Sequence, residues 1–371
     1  MKRILTLVSA LMFAMAAMAQ TDWYNPAECG FHAIQGQAWA GEVRTFSPYQ
    51  RMPDRAQDNV RRAVWSLSRQ CAGESIVFTT DATDITVRYT VGNGHAMPHM
   101  PATGVTGVDL YTSDVRGDEV WVAGKYSFKD TVRYTFGPLD FADGYAGERT
   151  FTLFLPPYNS VKWMEIGVNS GSNFRFEKPQ NERPIVAYGT SIGQGACASR
   201  PGMIWSNIVQ RRLGRTVINM GFSGNAFFEK EVIDLLAEID ASVYILDALP
   251  NSHSMPYEQL CDTIMSAVRR LRAVRPATPI LLADHLGYPH GRAIKHWRVQ
   301  EAHANAAQKE AFERLKAEGV RNIYHLTYDE IALPQDATVE AIHASDYGMI
   351  AYADAYCREL RRILKRNSKR R

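Results

Sequence analysis

The sequence predicts an all-β domain of sandwich or jelly-roll type followed by a three-layer α/β domain. Between Ser75 and Val168, short runs alternate polar and apolar residues and are separated by turn-rich pieces. After about residue 180 the pattern changes to buried apolar runs that alternate with amphipathic helices. Period-two alternation is typical of half-buried strands, whereas fully apolar runs between helices are typical of a parallel sheet. We therefore expect domains over residues 20–179 and 180–371.

The length and composition agree with two folded domains. The chain has 371 residues, 46% hydrophobic and 22% charged, which exceeds what one compact core usually holds. Acidic and basic residues nearly balance at a net charge of +3, and the only dense basic run is residues 365–371. A nucleic-acid partner is therefore not indicated.

The N-terminus has the pattern of a secretory signal peptide. Lys2 and Arg3 precede an apolar run over residues 4–17, which ends in Ala17-Met18-Ala19. We therefore expect residues 1–19 to be removed and the protein to be exported to the periplasm or the extracellular space. No later segment approaches the ~20 apolar residues that cross a bilayer, so stable membrane insertion is not expected.

Five cysteines are scattered without CxxC pairs or the spacing of zinc ligands: Cys29, Cys71, Cys197, Cys261 and Cys357. A metal site is therefore not expected, and no cofactor is indicated. An oxidising compartment permits one or two disulfides, and the odd number leaves at least one thiol free or intermolecular.

The strands of the first domain are marked by alternation and bounded by turns. Strand-like runs lie at residues 76–79, 85–89 and 119–122. Turn-rich pieces lie at residues 92–94, 116–118 and 143–147. Short strands at this spacing predict a sandwich or jelly roll.

Five apolar runs predict parallel strands in the second domain, at residues 184–188, 217–219, 243–246, 280–283 and 322–326. Ligands bind to such sheets in the crevice beyond the carboxyl ends of the strands. Polar candidates follow there, with Ser191 after the first run, Gly224 after the second and Asn251 after the third. The sequence therefore predicts a site at this edge of the sheet.

Ser191 is a candidate nucleophile. The string Gly189-Thr190-Ser191-Ile192-Gly193 lies where a strand gives way to a loop and then a helix, so its serine can project from a tight turn near backbone N–H donors. Taken alone, this string equally fits a glycine-rich connector that carries an incidental serine.

Four segments together resemble the sequence blocks of the SGNH (GDSL-type) hydrolases. They occur in the family's order and at its strand ends, over roughly residues 183–364, and are Tyr188-Gly189-Thr190-Ser191, Asn219–Asn225, Asp247–Asn251 and Glu340-Ala341-Ile342-His343. The segment Gly107-Val108-Asp109-Leu110-Tyr111 also resembles the β-rich domain that precedes one exported bacterial subgroup. The resemblance implies a flavodoxin-like α/β/α domain behind the β-sandwich.

The resemblance also implies the roles of individual residues. Ser191 would be the nucleophile and His343 the general base, and the oxyanion hole would consist of the backbone N–H groups of Ser191 and Gly224 and the side chain of Asn251. The chemistry requires these residue types. A serine hydroxyl is inert at neutral pH unless an imidazole accepts its proton, and the tetrahedral intermediate needs preorganised hydrogen-bond donors.

The chain departs from the family at two positions. Thr190 replaces the aspartate that usually precedes the nucleophile, and Glu340 replaces the aspartate that usually lies three residues before the histidine. A glutamate can orient an imidazole in other triads, so we expect Glu340 to complete the triad. Asp336 and Asp346 are the rival carboxylates, although Asp346 is also placed to cap the last helix.

Three further side chains, His253, His285 and Tyr288, follow the third and fourth strands and are candidate substrate contacts. The alternative is that they hold loops together. An α/β-hydrolase is disfavoured because Ser191 follows the first strand of its domain and no His-Gly-Gly-Gly segment is present.

We therefore expect a serine esterase. Export, the additional β-domain and the lack of a long apolar lid favour O-acetyl esters of carbohydrates or glycoconjugates as its substrates, by family analogy. The alternatives are a lipid esterase or thioesterase, and a non-catalytic carbohydrate-binding protein.

Overall fold

The computed structural model describes residues 20–368, so the predicted signal peptide lies outside the described residues. The fold prediction is confirmed, because two antiparallel sheets precede a parallel sheet that is covered by helices. Within the described part of the chain, no helix is both long and apolar enough to cross a membrane. All five cysteines are free thiols, so none of the disulfides that the sequence permits is formed.

The first domain is built from two antiparallel sheets. One has the strand order β1-β10-β4-β8-β7, and the other has the order β11-β3-β9-β5-β6 with β2 beside β3. The bounds of these strands are β1 (Thr21–Tyr24), β2 (Ile34–Gln35), β3 (Ser75–Thr80), β4 (Ile85–Val91), β5 (Asp109–Ser113), β6 (Glu119–Val122), β7 (Lys125–Ser127), β8 (Val132–Phe136), β9 (Arg149–Phe154), β10 (Val161–Asn169) and β11 (Phe174–Phe176). Two helices lie between strands, α1 (Arg62–Ser68) and α2 (Ala102–Val105).

Alternation along these strands fills the core of the sandwich. In β8, Val132, Tyr134 and Phe136 are buried whereas Arg133 is exposed, as expected for side chains that alternate between faces. The inward residues of both sheets, such as Phe78 and Val87, join one apolar cluster.

The second domain contains a parallel sheet with the order β13-β12-β14-β15-β16. Its strands are β12 (Ile185–Gly189), β13 (Val217–Gly221), β14 (Val243–Asp247), β15 (Ile280–Ala283) and β16 (Ile323–Leu326). This is the flavodoxin-like order, in which the chain reverses direction across the sheet beside its first strand. Ligand sites in such sheets lie at this switch point, which is where β12 ends.

Helices cover both faces of the parallel sheet. They are α3 (Ser191–Gln194), α4 (Trp205–Leu213), α5 (Lys230–Glu238), α6 (Leu249–Ser252), α7 (Tyr257–Val274), α8 (Lys295–Ala317), α9 (Tyr328–Ile331) and α10 (Asp346–Ser368). Val186 and Tyr188 pack with α5, α7 and α8, whereas Ile185 and Ala187 pack with α4 and α10. Burial on both faces explains why the strands read as continuous apolar runs.

Arg51 fastens the first domain to the parallel sheet. Its buried guanidinium donates to the carbonyl oxygens of Asn219 (2.9 Å) and Gly221 (2.8 Å) in β13. It also donates to the carbonyls of Leu67 and Gln70, both at 2.8 Å. Burial lowers the pKa of Arg51 to about 10, so the group stays charged at neutral pH. The carboxyl end of β13 is therefore tied to the β-domain by a buried cation that donates four hydrogen bonds.

The segment that resembles the family's β-domain forms a second contact between the domains. Asp109 Oδ2 accepts hydrogen bonds from Gly202 N (2.7 Å) and from Arg200 (2.8 Å), and Arg200 also donates to the hydroxyl of Tyr111 (2.7 Å). A Cβ on Gly202 would lie 2.4 Å from the Tyr111 ring, so glycine allows this close approach. The motif thus docks the sandwich onto the α/β domain.

Candidate active site

Ser191 lies at the carboxyl end of β12, as the first residue of α3. The hydroxyl of Thr190 accepts a hydrogen bond from Ile192 N at 3.3 Å and so caps this short helix. The departure from the family's aspartate therefore has a local structural role. Ser191 is only 8% exposed, but its hydroxyl contacts His343, the predicted general base.

A chain of hydrogen bonds links the three predicted catalytic residues. Ser191 Oγ lies 2.8 Å from His343 Nε2, and His343 Nδ1 lies 2.5 Å from Glu340 Oε1. An ionised Glu340 holds the imidazole proton on Nδ1, which leaves Nε2 free to accept the proton of Ser191. The arrangement can therefore turn the serine hydroxyl into a nucleophile.

The loop around Glu340 explains how a glutamate fits in place of the shorter aspartate. Val339 N donates to the carbonyl of His343 at 2.9 Å, and Glu340 Oε1 also accepts from His343 N at 2.9 Å. Ala341 adopts φ of +69°, a left-handed conformation that costs an L-residue roughly 1–2 kcal/mol. The tight turn folds the longer carboxylate back onto its own histidine.

The two rival carboxylates lie in other surroundings. Asp346 begins α10 and accepts hydrogen bonds from the backbone N (2.8 Å) and the hydroxyl (2.5 Å) of Ser199. Asp336 is exposed. Glu340 is thus the carboxylate that contacts His343 Nδ1, although its catalytic role stays a prediction.

The predicted oxyanion-hole residues meet at the same edge of the sheet. Asn251 lies in α6 after β14, and its Oδ1 accepts a hydrogen bond from Ala226 N at 3.1 Å. This bond fixes the amide and leaves its NH2 group to donate. Gly224 has φ of +66° in the loop after β13, a conformation that favours glycine. The role of both residues as donors stays a prediction.

The first domain forms one wall of the site, which the sequence did not indicate. A groove of about 370 Å³ reaches His343, and its lining includes Leu67, Met97, His99 and Tyr158 from the first domain and Ser223 from the second. The hydroxyl of Tyr158 donates to the carbonyl of Ser191 at 3.0 Å. No local pattern marks these residues, because their contacts join segments that are far apart in the chain.

The three predicted substrate contacts form a ring cluster near the loop after β15. His285 is fully buried, its Nδ1 accepts from Gly287 N at 2.9 Å, and burial lowers its pKa to about 3. His285 thus contacts the backbone of its own loop in this conformation, and substrate contact by this side chain stays a prediction. The ring of Tyr288 packs edge-on against the His285 ring, with 4.4 Å between the ring centroids. The centroid of the His253 ring lies 6.3 Å from that of His285. Substrate contact by His253 and Tyr288 stays a prediction.

Cys197 places a thiol beside the site. Burial, with the negative charge of Glu340 as the smaller cause, raises the pKa of its thiol to about 12. The thiolate is the nucleophilic form of cysteine. Cys197 is therefore protonated at neutral pH and does not compete with Ser191 as the nucleophile.

A parallel sheet of flavodoxin-like order, with a serine and a histidine hydrogen-bonded at its switch point, defines a hydrolase of the SGNH class. Residues 182–361 match the GDSL-like lipase/acylhydrolase family, and residues 21–174 match the N-terminus of the SGNH hydrolase-type esterases. The chain therefore belongs to the GDSL-type SGNH hydrolases, a family of enzymes that cleave ester bonds.

Solved structures resemble the chain over almost its whole length. A GDSL-like lipase from Bacteroides ovatus is 29% identical with a TM-score of 0.84, covering 93% of this chain and 98% of that one. The salicylyl-acyltransferase SsfX3 from a tetracycline biosynthetic pathway is 19% identical with a TM-score of 0.70, covering 94% and 98%. A family two carbohydrate esterase from Cellvibrio japonicus is 12% identical with a TM-score of 0.57, covering 94% and 99%. None of the curated protein sequences matches the chain.

Proposed function

We propose that the protein is exported and that it removes O-acetyl groups from carbohydrates or glycoconjugates through a covalent acyl-enzyme on Ser191. The observation that carries the proposal is the hydrogen-bonded chain from Ser191 through His343 to Glu340, with 2.8 Å between Oγ and Nε2. A hydroxyl, a base and a carboxylate linked in this order form the arrangement that serine hydrolases use.

In the proposed mechanism, Ser191 Oγ attacks the ester carbonyl while His343 Nε2 takes its proton. The negative charge that develops on the carbonyl oxygen is held by the backbone N–H groups of Ser191 and Gly224 and by the amide of Asn251. His343 then gives its proton to the departing alcohol oxygen. A water molecule, deprotonated by the same imidazole, attacks the acyl-enzyme and releases the acid and the free serine.

Two observations support a carbohydrate alcohol as the leaving group. The structural neighbour from Cellvibrio japonicus is a family two carbohydrate esterase, and its fold extends over both domains of this chain. The groove beside His343 is walled by the β-domain, so the alcohol part of the substrate would contact both domains. Such a site suits a large leaving group that contacts both domains.

The lining of the groove favours a second candidate. Leu67, Met97 and Tyr158 give it apolar walls, and about 370 Å³ is more space than an acetyl group requires. A neighbouring structure is a salicylyl-acyltransferase, which handles an aromatic acyl group. An esterase for longer or aromatic acyl groups is therefore the alternative.

An acyl-length series separates the two candidates. The mature protein is assayed with p-nitrophenyl esters from acetyl to octanoyl and with acetylated glycans, and the released acetate is quantified. The proposal expects kcat/KM to be highest for acetyl and acetate to be released from the glycans. Activity that rises steadily towards octanoyl would contradict it and support the alternative. Ser191→Ala serves as the control for contaminating esterases.

A further inference from the structure

Three metal-binding side chains from separate segments meet beside Ser191. His99 comes from the first domain, Cys197 follows α3, and His343 comes from the loop before α10; their ligating atoms all lie within 4.8 Å of one another. The two imidazole rings are tilted, with centroids 5.7 Å apart. The thiol of Cys197 donates to the carbonyl of His99 at 3.4 Å, which holds the two segments together.

The ligating atoms lie within 4.8 Å of one another, whereas a tetrahedral zinc site brings them closer. With zinc–sulfur bonds of about 2.3 Å and zinc–nitrogen bonds of about 2.0–2.1 Å, neighbouring ligand atoms lie about 3.3–3.6 Å apart. Side-chain rotations that move the ligating atoms by about 1 Å would therefore bring the three groups onto one ion. One thiolate and two imidazoles suit zinc and similar transition metals, and three protein ligands leave a fourth position for water.

The backbone at Cys197 gives an independent reason to assign this residue a role. Its φ is +68°, a conformation that is uncommon for residues other than glycine. Strained residues of this kind cluster at functional sites. The mechanism proposed above uses neither Cys197 nor His99, so the strain is not explained by ester hydrolysis.

We propose that His99, Cys197 and His343 form a binding site for a divalent metal ion of the zinc type, and that the bound ion inhibits the hydrolase. The ion displaces the thiol proton of Cys197 to solvent and takes one ring nitrogen of His343. Spacing in the sequence did not reveal the site, because the three ligands lie in different segments.

Inhibition follows from the hydrogen bonds of His343. Both of its ring nitrogens are engaged, Nε2 with Ser191 at 2.8 Å and Nδ1 with Glu340 at 2.5 Å. An ion on Nε2 removes the base that Ser191 needs, and an ion on Nδ1 removes the carboxylate that orients the ring. Metal binding and catalysis therefore exclude each other. This part rests on the proposed function, whereas metal binding does not.

Binding is tested by titrating chelator-treated protein with CoCl2 and recording the thiolate-to-cobalt charge-transfer absorption, followed by displacement with ZnCl2. Wild type should bind one equivalent and show the thiolate band. Cys197→Ser should lose the band and bind zinc at least ~10-fold more weakly, since even the loss of a group behind a ligand costs 10–100-fold. His99→Gln should weaken zinc binding similarly. This second variant tests the site independently if the cysteine variant fails to fold.

Cys261→Ser is the matched control, because Cys261 is a buried thiol that donates to the carbonyl of Ala307 at 3.2 Å and lies in α7. It should keep the wild-type affinity for the metal. The site is refuted if wild type gives no thiolate band, or if Cys197→Ser and His99→Gln both bind zinc as wild type does.

Inhibition is tested separately with p-nitrophenyl acetate. The initial rate of wild type should fall with the same zinc dependence as binding and recover when EDTA is added. Binding without a loss of rate would overturn the inhibitory role. A metal-free protein that hydrolyses none of the esters would contradict the proposed function and with it the inhibition, while the cobalt spectra would still decide whether the site exists.

Discussion

Replacing Glu340 by glutamine should slow ester hydrolysis by roughly 10²-fold. Unit charges about 4 Å apart interact by about 4 kcal/mol at the effective dielectric constant of about 20 that applies near a protein surface. The Glu340 side chain is 33% exposed and that of His343 is 18% exposed, so solvent reduces this stabilisation of the imidazolium. About 3 kcal/mol remains, and each 1.36 kcal/mol corresponds to a tenfold change in rate.

This effect is smaller than the ~10⁴-fold loss for the buried aspartate of a serine protease triad, because Glu340 is partly solvated. Glu340→Asp keeps the charge but withdraws the oxygen that accepts from both His343 N and Nδ1. We expect about a tenfold loss for that variant, in line with one weakened charge-assisted hydrogen bond.

The assay compares kcat for p-nitrophenyl acetate, with circular dichroism to check folding. Asp336→Asn is the matched control, because it removes an exposed carboxylate and should leave kcat unchanged. If Glu340→Gln kept more than half of the wild-type kcat while Asp346→Asn abolished activity, the reasoning about the triad would be refuted. If Glu340→Gln, Asp336→Asn and Asp346→Asn all remained active, His343 and Ser191 would work as a dyad.

Three further outcomes are expected. Ser191→Ala should lower kcat by as much as ~10⁶-fold without changing the melting temperature; more than a tenth of wild-type turnover would contradict its role as nucleophile. Asn251→Ala should lower kcat by ~10²–10³-fold with little change in KM, whereas a change in KM alone would make it a substrate contact. Asp247 lies between the hydroxyls of Tyr352 (2.6 Å) and Tyr356 (3.1 Å), and burial raises its pKa to about 7. Its unfolded-state pKa is about 4, so its contribution to stability is fully present below pH 4 and is lost as the pH rises to 7. The melting temperature of Asp247→Asn relative to wild type should therefore increase between pH 4 and pH 7 and stay constant above; a difference that does not change with pH would contradict the shift.

The parts of the site that the sequence predicted are those that follow directly from local order along the chain. Ser191, Gly224 and Asn251 each come soon after an apolar run, and the carboxyl ends of parallel strands necessarily meet at one edge of the sheet. Glu340 and His343 are three residues apart, so their contact depends only on a local turn. These placements required no knowledge of packing between domains.

The parts that the sequence did not predict depend on contacts between distant segments. Tyr158, Met97 and His99 reach the site only because the sandwich docks against the second domain. His285 was a reasonable candidate by position, but its burial depends on how the loop after β15 folds back on α8, where Asn305 Oδ1 accepts from His285 N at 2.7 Å. Periodicity in a single sequence carries no information on such long-range packing.

The hydrogen bonds of Arg51 determine how this protein can be divided or recombined. A fragment that began near residue 180 would leave the carbonyls of Asn219 and Gly221 without their donor, at the strand that leads to Gly224. The complementary fragment would lose the two hydrogen bonds from Arg51 to β13, and a hydrogen bond that involves a charged group contributes about 1.5–3 kcal/mol to stability. The sandwich is therefore not an interchangeable accessory module, and a chimera that grafts another β-domain onto this hydrolase should retain an arginine able to reach both carbonyls.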